Sequence, residues 1–432
     1  MSKTSATPAA LGRESRICIV GAGPSGITAA LEYRKLGYDQ VVLLEQQNRV
    51  GGRCLTTEDG NDMGATAWIP GYFRDVVAFT DGLGIERGWV PRLTAMSSTT
   101  GGVVSQLSRG DTLRAYVQAV RYMLEWRRWS GVRGPGFGEV SDQLRPMWSR
   151  FMRERGYCQF STHISVPVVG FGYRDMPAVY SVRAVSPDAI LGSMKSLLRG
   201  GQTLGRWKGG TEQIWRRAID RHGLDVRLDS HIETITREGD VKVQLRGSTA
   251  PLVFDYLVIA CNPRPLLSVL DADPREHSLF SQIETFDYRT YECRVPGFRQ
   301  GESFYGAFVD NLDETGVNRP AIVYKAEPNS ELVVVYVNAD GADDETIEGN
   351  IRADLAAVGA KLTEVKTRCR FDYSPHVGTA ALEDDFFVKL GGLQGHRRTL
   401  GVGAAYTFDG LGHVMEQARA TVQSHAAGKL SS

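Results

Sequence analysis

Residues Arg16 to Thr56 constrain this chain more than any other stretch. An apolar run, Ile17-Cys-Ile-Val20, leads into Gly21-Ala-Gly-Pro-Ser-Gly26, then a helical segment, then a second apolar run, Val41 to Leu44, closed by Glu45. A Gly-x-Gly-x-x-Gly string alone says little in a chain with 48 glycines. Here it follows a strand, opens a helix and precedes an acidic residue by about 20 positions, the context a dinucleotide-binding βαβ unit requires. Gly21 serves the tight turn, Gly23 lets backbone approach a pyrophosphate, and Gly26 lets helix and strand pack closely. Pro24 and Ser25 open a helix whose free amides and positive dipole end face the phosphates. Glu45 is placed to accept from a ribose 2′-OH, where a basic residue would suggest a 2′-phosphate. The plain alternative is a Gly-rich turn that holds no ligand.

Gly51-Gly52-Arg53 follows Glu45 closely. The doublet resembles the second glycine loop of the flavoprotein superfamily that contains amine oxidases, phytoene-type desaturases and protoporphyrinogen oxidases. That resemblance implies non-covalent FAD, with the paired glycines closing a loop over the diphosphate and Arg53 supplying charge beside it. It also implies the fold class: α/β, with a Rossmann-type FAD-binding domain of the glutathione-reductase-like, amine-oxidase type and an inserted α+β substrate domain. Asp62-Met-Gly-Ala-Thr66 is similar to the segment that passes along the flavin ring, so Gly64, Ala65 and Thr66 are candidate contacts. Gly209-Gly-Thr211 looks like the superfamily's re-entry near the substrate side of the flavin. Ile232 matches the apolar residue whose backbone grips the adenine. Gly401-Val-Gly403 and Gly412-His-Val414 resemble the strand that ends on the ribityl chain and the helix that points at the pyrimidine carbonyl, which adds Gly403 and Val414 to the cofactor set. Ala404 departs from the pattern, because the superfamily usually carries an acid there.

The remaining features set the frame. Fifty basic and fifty acidic residues cancel, so nothing draws the chain to nucleic acid. Six widely spaced cysteines without a CxxC pair point to no metal site and no disulfide framework, and fit a reducing, cytoplasmic setting. Residues 1–13 read as a flexible lead-in. Segments 14–91, 200–265 and 365–428 are expected to build one discontinuous FAD-binding domain, and 92–199 with 266–364 a substrate domain of helices plus an antiparallel sheet. No second strand-Gly-helix cradle for NAD(P)H is found, and no run approaches the roughly 18 apolar residues of a membrane span. Residues 72–83 read as a short amphipathic helix used for packing, and 140–153 as a helix. A helix capped at Asp111-Thr112 carries Leu113, Tyr116, Val117, Val120, Met123 and Leu124 on one face, with Arg114, Arg121, Arg127 and Arg128 around it. With Trp126 and Trp129 this fits weak membrane-surface contact; a solvated face is the plain alternative.

Several strings narrow the resemblance further. Gly170-Phe-Gly-Tyr173, Pro177-Ala-Val-Tyr180, Trp207 before Gly209, Ile235-Thr-Arg-Glu238, Pro375-His-Val377 and Leu393-Gln-Gly395 with Arg397 and Arg398 resemble, in the same order, the FAD-containing polyunsaturated fatty acid double-bond isomerases. This implies a small apolar unsaturated substrate, lipid- or polyene-like, and a redox-neutral reaction in which hydride leaves to flavin N5 and returns at another carbon. No catalytic side chain is required for it. Phe171, Tyr173, Trp207, Tyr406 and Phe408 are candidate pocket walls, and Arg92 is the nearby basic residue for a carboxylate. The runner-up is an oxidase or desaturase, amine oxidases included, that passes electrons to oxygen or another acceptor, with Lys208 or Lys389 as the lysine many superfamily oxidases place near N5. A non-catalytic FAD-binding protein is the third reading. His376 and His413 fall in flavin-proximal motifs without a recognisable partner nucleophile.

Overall fold

Four consecutive apolar residues without alternation suit a strand covered on both faces. Ile17–Val20 (β1) is that strand, buried throughout. In the structure, a computed structural model that describes residues 11–430 except 71, 105–108, 159, 161–174, 199–201 and 313, β1 leads through the glycine turn to α1 (Pro24–Lys35) and back to β2 (Val41–Leu44), which pairs with β1 in parallel. The chain then leaves through α2 (Arg74–Gly82), β3 (Arg87–Trp89), β4 (Leu93–Ser97), β5 (Gly102–Val103), α3 (Arg109–Trp126), α4 (Trp148–Glu154), α5 (Ala178–Ala184) and α6 (Pro187–Leu198). It returns through β6 (Gly205–Trp207), α7 (Glu212–His222), β7 (Asp225–Arg227), β8 (Ile232–Thr236), β9 (Val241–Leu245), β10 (Leu252–Phe254) and β11 (Tyr256–Ile259). Then come β12 (Glu284–Arg294), β13 (Phe304–Phe308), β14 (Pro320–Lys325), β15 (Leu332–Ala339), α8 (Asp344–Ala357), β16 (Glu364–His376), β17 (Thr399–Gly401) and α9 (Leu411–Ala426), with short helical turns between some of them.

Two sheets organise the molecule. The first has five strands in the order β17-β11-β1-β2-β7, all parallel, with β1 at its centre. Helices α1 and α9 pack against one another beside it, joined by a 2.8 Å hydrogen bond between the Tyr33 hydroxyl and His425 Nδ1. The second sheet has seven strands, β16-β12-β15-β14-β13-β4-β5.

Three expectations are corrected here. The large sheet is not wholly antiparallel, because β4 runs parallel to β13. Residues 93–103, expected in the helical part of the substrate domain, and 365–376, expected in the cofactor domain, both contribute strands to it. In β16, Lys366, Arg368 and Arg370 alternate with half-buried Val365, Thr367 and Cys369. That is the charged edge-strand pattern that blunts further pairing. The stretch 140–153 is broken: Asp142–Leu144 forms a single tight turn, Met147 is extended, and α4 starts only at Trp148. Pro146 has no N–H with which to continue a helix.

Helix α3 turns its small residues and one tyrosine inward. Ala115, Ala119 and Tyr122 are buried, while Leu113, Tyr116, Val117, Val120 and Leu124 face out.

Close packing of α1 on the first sheet is made at Gly26, where an added Cβ would press into the Gly21 carbonyl oxygen and come within 3.2 Å of Ala260 Cβ. Gly26→Ala should therefore cost about 1–3 kcal/mol, lowering the melting temperature of the cofactor-free protein by several degrees in a circular dichroism melt. Gly82→Ala, at the end of α2 where a Cβ meets open space, should not lower it and is expected to raise it slightly.

Candidate active site

The N-terminus of α1 is left open. Gly23 caps it in an extended conformation and no side chain bonds to the first-turn amides, which have no intrahelical acceptor. Gly51 N donates to Ala22 O at 2.8 Å, which ties the second glycine loop to the first. A Cβ on Gly52, whose φ is +55°, would lie 3.2 Å from Gly23 Cα. The third segment arrives at Gly403, φ +101°, where a Cβ would stand 2.8 Å from Ser25 Oγ. Buried Glu45 is fixed by Ala22 N at 2.9 Å and Gln47 N at 3.0 Å. Ser230 N donates to Glu45 O at 2.8 Å, which brings the turn before Ile232 alongside the acid.

These features fit FAD. The glycine contacts leave a side-chain-free surface at an uncapped helix end, and Glu45 stands at the ribose position of the fingerprint. A second helix end without a side-chain cap, that of α9 at Gly410, lines the cavity described below, with Val414 one turn in. Ala404 stands where the superfamily usually has an acid, and the loop before it is held by buried Gln417, whose carbonyl accepts from Gly403 N at 2.8 Å and whose amide donates to Gly401 O at 3.3 Å.

Arg53 has a partner that sequence reasoning missed. Both of its terminal nitrogens bond to the buried Asp409 carboxylate, and its guanidinium lies 4.9 Å from the Tyr373 ring centre. Burial pushes the Asp409 carboxyl up, and Arg53 and Ser374 N oppose that shift. Gly64 lies directly beneath the Arg53 carbonyl, which accepts from Ala65 N at 3.1 Å, and a Cβ on Gly64 would collide with it.

A cavity opens where residues 64–67 cross the large sheet. Its sheet wall is tyrosine: Tyr373 from β16, Tyr288 from β12, Tyr336 from β15 and Tyr305 from β13. The Tyr288 and Tyr373 rings are 4.9 Å apart and Tyr288 stacks on Tyr336 at 6.2 Å. Tyr336 also donates to Asp62 O at 3.0 Å, fixing the ring-facing segment to the sheet. Trp207 and Phe408 close other sides. The polar end is made by Tyr72 and His413, with the Tyr72 hydroxyl hydrogen-bonded to His413 Nε2 and 3.1 Å from Arg183 O. Burial, helped by the Arg183 guanidinium, drives His413 down to about 3, and burial raises the Tyr72 phenol, so both stay neutral. Asp62 lies buried behind this wall. Burial pushes it up to about 7 against donors from Thr211 N at 2.8 Å, Thr211 Oγ1 at 2.9 Å and Thr56 Oγ1 at 2.7 Å.

Of the expected wall residues, Trp207 and Phe408 reach the cavity, and Thr66 lines it too. Tyr406 does not. It packs over Gly401 in another part of the core, and its carbonyl accepts from Phe137 N at 2.9 Å. Residues 403–410 form turns rather than a strand, so positions two apart do not share a face. Arg92 stands exposed ahead of β4, away from the cavity. Phe171 and Tyr173 lie outside the described residues. Lys208 and Lys389 are exposed, paired with Glu86 and Asp384, and neither lines the cavity. His376 stacks on Phe286 at 4.3 Å and its Nδ1 lies 2.8 Å from Ser374 O. Tyr72 and Phe73, read as helix packing, are wall residues instead.

Comparison with known proteins agrees with this geometry. A family model described as flavin containing amine oxidoreductase matches residues 24–380. An uncharacterized protein of Acanthamoeba polyphaga mimivirus is 23% identical over 96% of this chain and 94% of its own length. Among solved structures, the CLA-producing fatty acid isomerase from P. acnes superposes with a TM-score of 0.86 at 21% identity, covering 96% of this chain and 99% of that one. Wild-type putrescine oxidase bound to putrescine does so with a TM-score of 0.67 at 17% identity, over 96% of this chain and 98% of that one.

Neutral His413 has a measurable consequence. The unfolded chain takes up a proton near 6.5 that the folded protein refuses until about 3, so this residue's contribution to stability is present above that window and lost as pH falls through it. The slope from one such group is at most about 1.4 kcal/mol per pH unit. His413→Gln should flatten the acid side of a melting-temperature against pH curve; an unchanged slope would mean that His413 is already charged in the fold.

Proposed function

The chain belongs to the flavin containing amine oxidoreductase family and its cofactor is FAD, and on that premise we propose that it moves a carbon-carbon double bond within an apolar, unsaturated, lipid- or polyene-like substrate. FAD, held non-covalently, supplies hydride acceptance and return at its N5. The carrying observation is the cavity wall of four tyrosines with Trp207 and Phe408, closed by the uncharged Tyr72–His413 pair. Such a wall holds an alkene by apolar contact and excludes water. Its ring faces favour positive charge developing on the carbon chain. Neutral His413 and protonated Tyr72 orient a polar end of the substrate by hydrogen bonding, and neither is needed as a base. In this reading the five-stranded parallel sheet and its helices carry the cofactor, and the seven-stranded sheet with the helices of 109–198 holds the substrate. The likeness to a fatty acid isomerase supports the reading.

Amine oxidation is the second reading. Tyrosine faces also hold a substituted ammonium, and putrescine oxidase shares the fold. The absence of Lys208 and Lys389 from the cavity weighs against the lysine-assisted form of that chemistry.

Anaerobic incubation of the FAD-loaded protein with a panel of polyunsaturated fatty acids, polyenes and amines separates the two. Isomerisation should give products of unchanged mass, many turnovers without oxygen, and flavin that stays oxidised. Products lighter by two hydrogens, with bleached flavin waiting for oxygen, would overturn it. Phe408→Ala should slow turnover about tenfold while leaving the bound-flavin spectrum intact.

A further inference from the structure

Ten large hydrophobic side chains stand exposed among the described residues, and five of them lie on α3. Leu113, Val117, Val120 and Leu124 recur at i, i+4, i+7 and i+11, one continuous helix face. They are strongly exposed: 67% for Leu113, 64% for Val117 and Leu124, 51% for Val120. The opposite face is the one that packs, through Ala115, Ala119 and Tyr122. A surface helix with an apolar outer stripe as well as an apolar inner one is unexplained by the fold of one chain.

The charges beside the stripe say what covers it. Arg114 and Arg121 are paired with Asp111 and Glu125, and Glu125 also bonds Arg155. Arg127 and Arg128 extend the row, exposed and without an ion pair among the described residues. On the neighbouring α6, Leu191 is exposed and Lys195 lies one turn further, with Asp188 as the exposed acid near the start of that helix. Glu139 and Asp142 share a hollow with Arg128, Arg145 and Arg155, and with these counted basic residues still outnumber acids around the helix in a chain of zero net charge. Two copies docking stripe to stripe would bring like charges together, whereas an anionic lipid surface is complementary to them.

We propose that α3 seats this protein in the headgroup region of anionic phospholipid bilayers, with the Leu113-to-Leu124 face in the acyl boundary and its arginines on lipid phosphates. The helix lies parallel to the membrane and does not cross it; no helix among the described residues is long and apolar enough to do so. The seat is tied toward the cavity, because Tyr122 Oη and Trp126 Nε1 donate to the carbonyls of Val185 and Val182 at 3.0 and 3.1 Å, and Ala184, at the end of α5, is a cavity wall. The proposal stands apart from the reaction assigned above.

The test is flotation of the FAD-loaded protein with vesicles of phosphatidylcholine, with and without phosphatidylglycerol. Binding should be strong only with phosphatidylglycerol and should weaken with salt. The pair Val117→Glu and Leu124→Glu should cut it at least about tenfold, while flavin absorbance and melting temperature stay unchanged. Arg127→Gln with Arg128→Gln should lower only the phosphatidylglycerol-dependent part. Failure of the wild type to float, or equal flotation of the glutamate variant, would overturn the proposal. So would light scattering showing a dimer that the glutamate variant splits, which would assign the stripe to a second copy. Flotation needs no turnover, so its outcome is independent of whether the double-bond reaction is correct.

Discussion

Backbone meets backbone without a side chain between them at the centre of this protein, and the rest is arranged around that contact. Gly26 sits against the Gly21 carbonyl and Ala260, Gly52 against Gly23, and Gly403 against Ser25. Three stretches far apart in sequence thus converge on one helix N-terminus with nothing bulky in the way. The open amides that result are unfavourable unless something anionic or water-like meets them. A diphosphate does so, and the same closeness that admits it sets the distance of α1 from β1.

Buried charge holds the periphery of that arrangement in place. Arg237, fully buried, bonds Asp271 at 2.8 Å, Glu276 at 2.7 Å and Thr399 at 3.0 Å, so it ties β8 to the strand that brings Gly403 to the cofactor. Asp273 caps the short helix Pro274–Phe280 and receives His396. Arg397 bonds Asp271 as well. Strings such as Ile235-Thr-Arg-Glu238 and Arg397-Arg398 thereby gain a physical reason that is structural. Removing one partner of such a cluster leaves an uncompensated buried charge, which costs more than the cluster contributes.

What could be read from sequence follows from range. The glycine cradle, the acid at Glu45 and the parallel β1–β2 pair are local, and each residue's task is fixed by neighbours within one βαβ unit. The tyrosine wall is not local. Tyr288, Tyr305, Tyr336 and Tyr373 share a cavity only through the register of β12, β13, β15 and β16, and no single strand announces it. Asp409 was invisible for the same reason, because its partner Arg53 lies far away in the chain. Tyr406 misled because a turn does not keep strand alternation. Helix α3 was legible as a helix with an apolar face and arginines around it, but periodicity does not say which of two apolar faces points inward. Ala115, Ala119 and Tyr122 took that place, since small residues allow close approach.

The position of β1 also sets a timetable. It is the central strand of its sheet, yet β17, which completes that sheet, begins about 380 residues after β1 ends. At ribosomal speeds of about 5–20 residues per second, roughly 20 to 80 seconds separate the two. Within that interval β7 and β11 arrive to flank β2 and β1, and β17 then pairs with β11 at the sheet edge. Gly403 and the open end of α9 at Gly410 come later still, so the three-part cradle is complete only after nearly all of the described chain has been made.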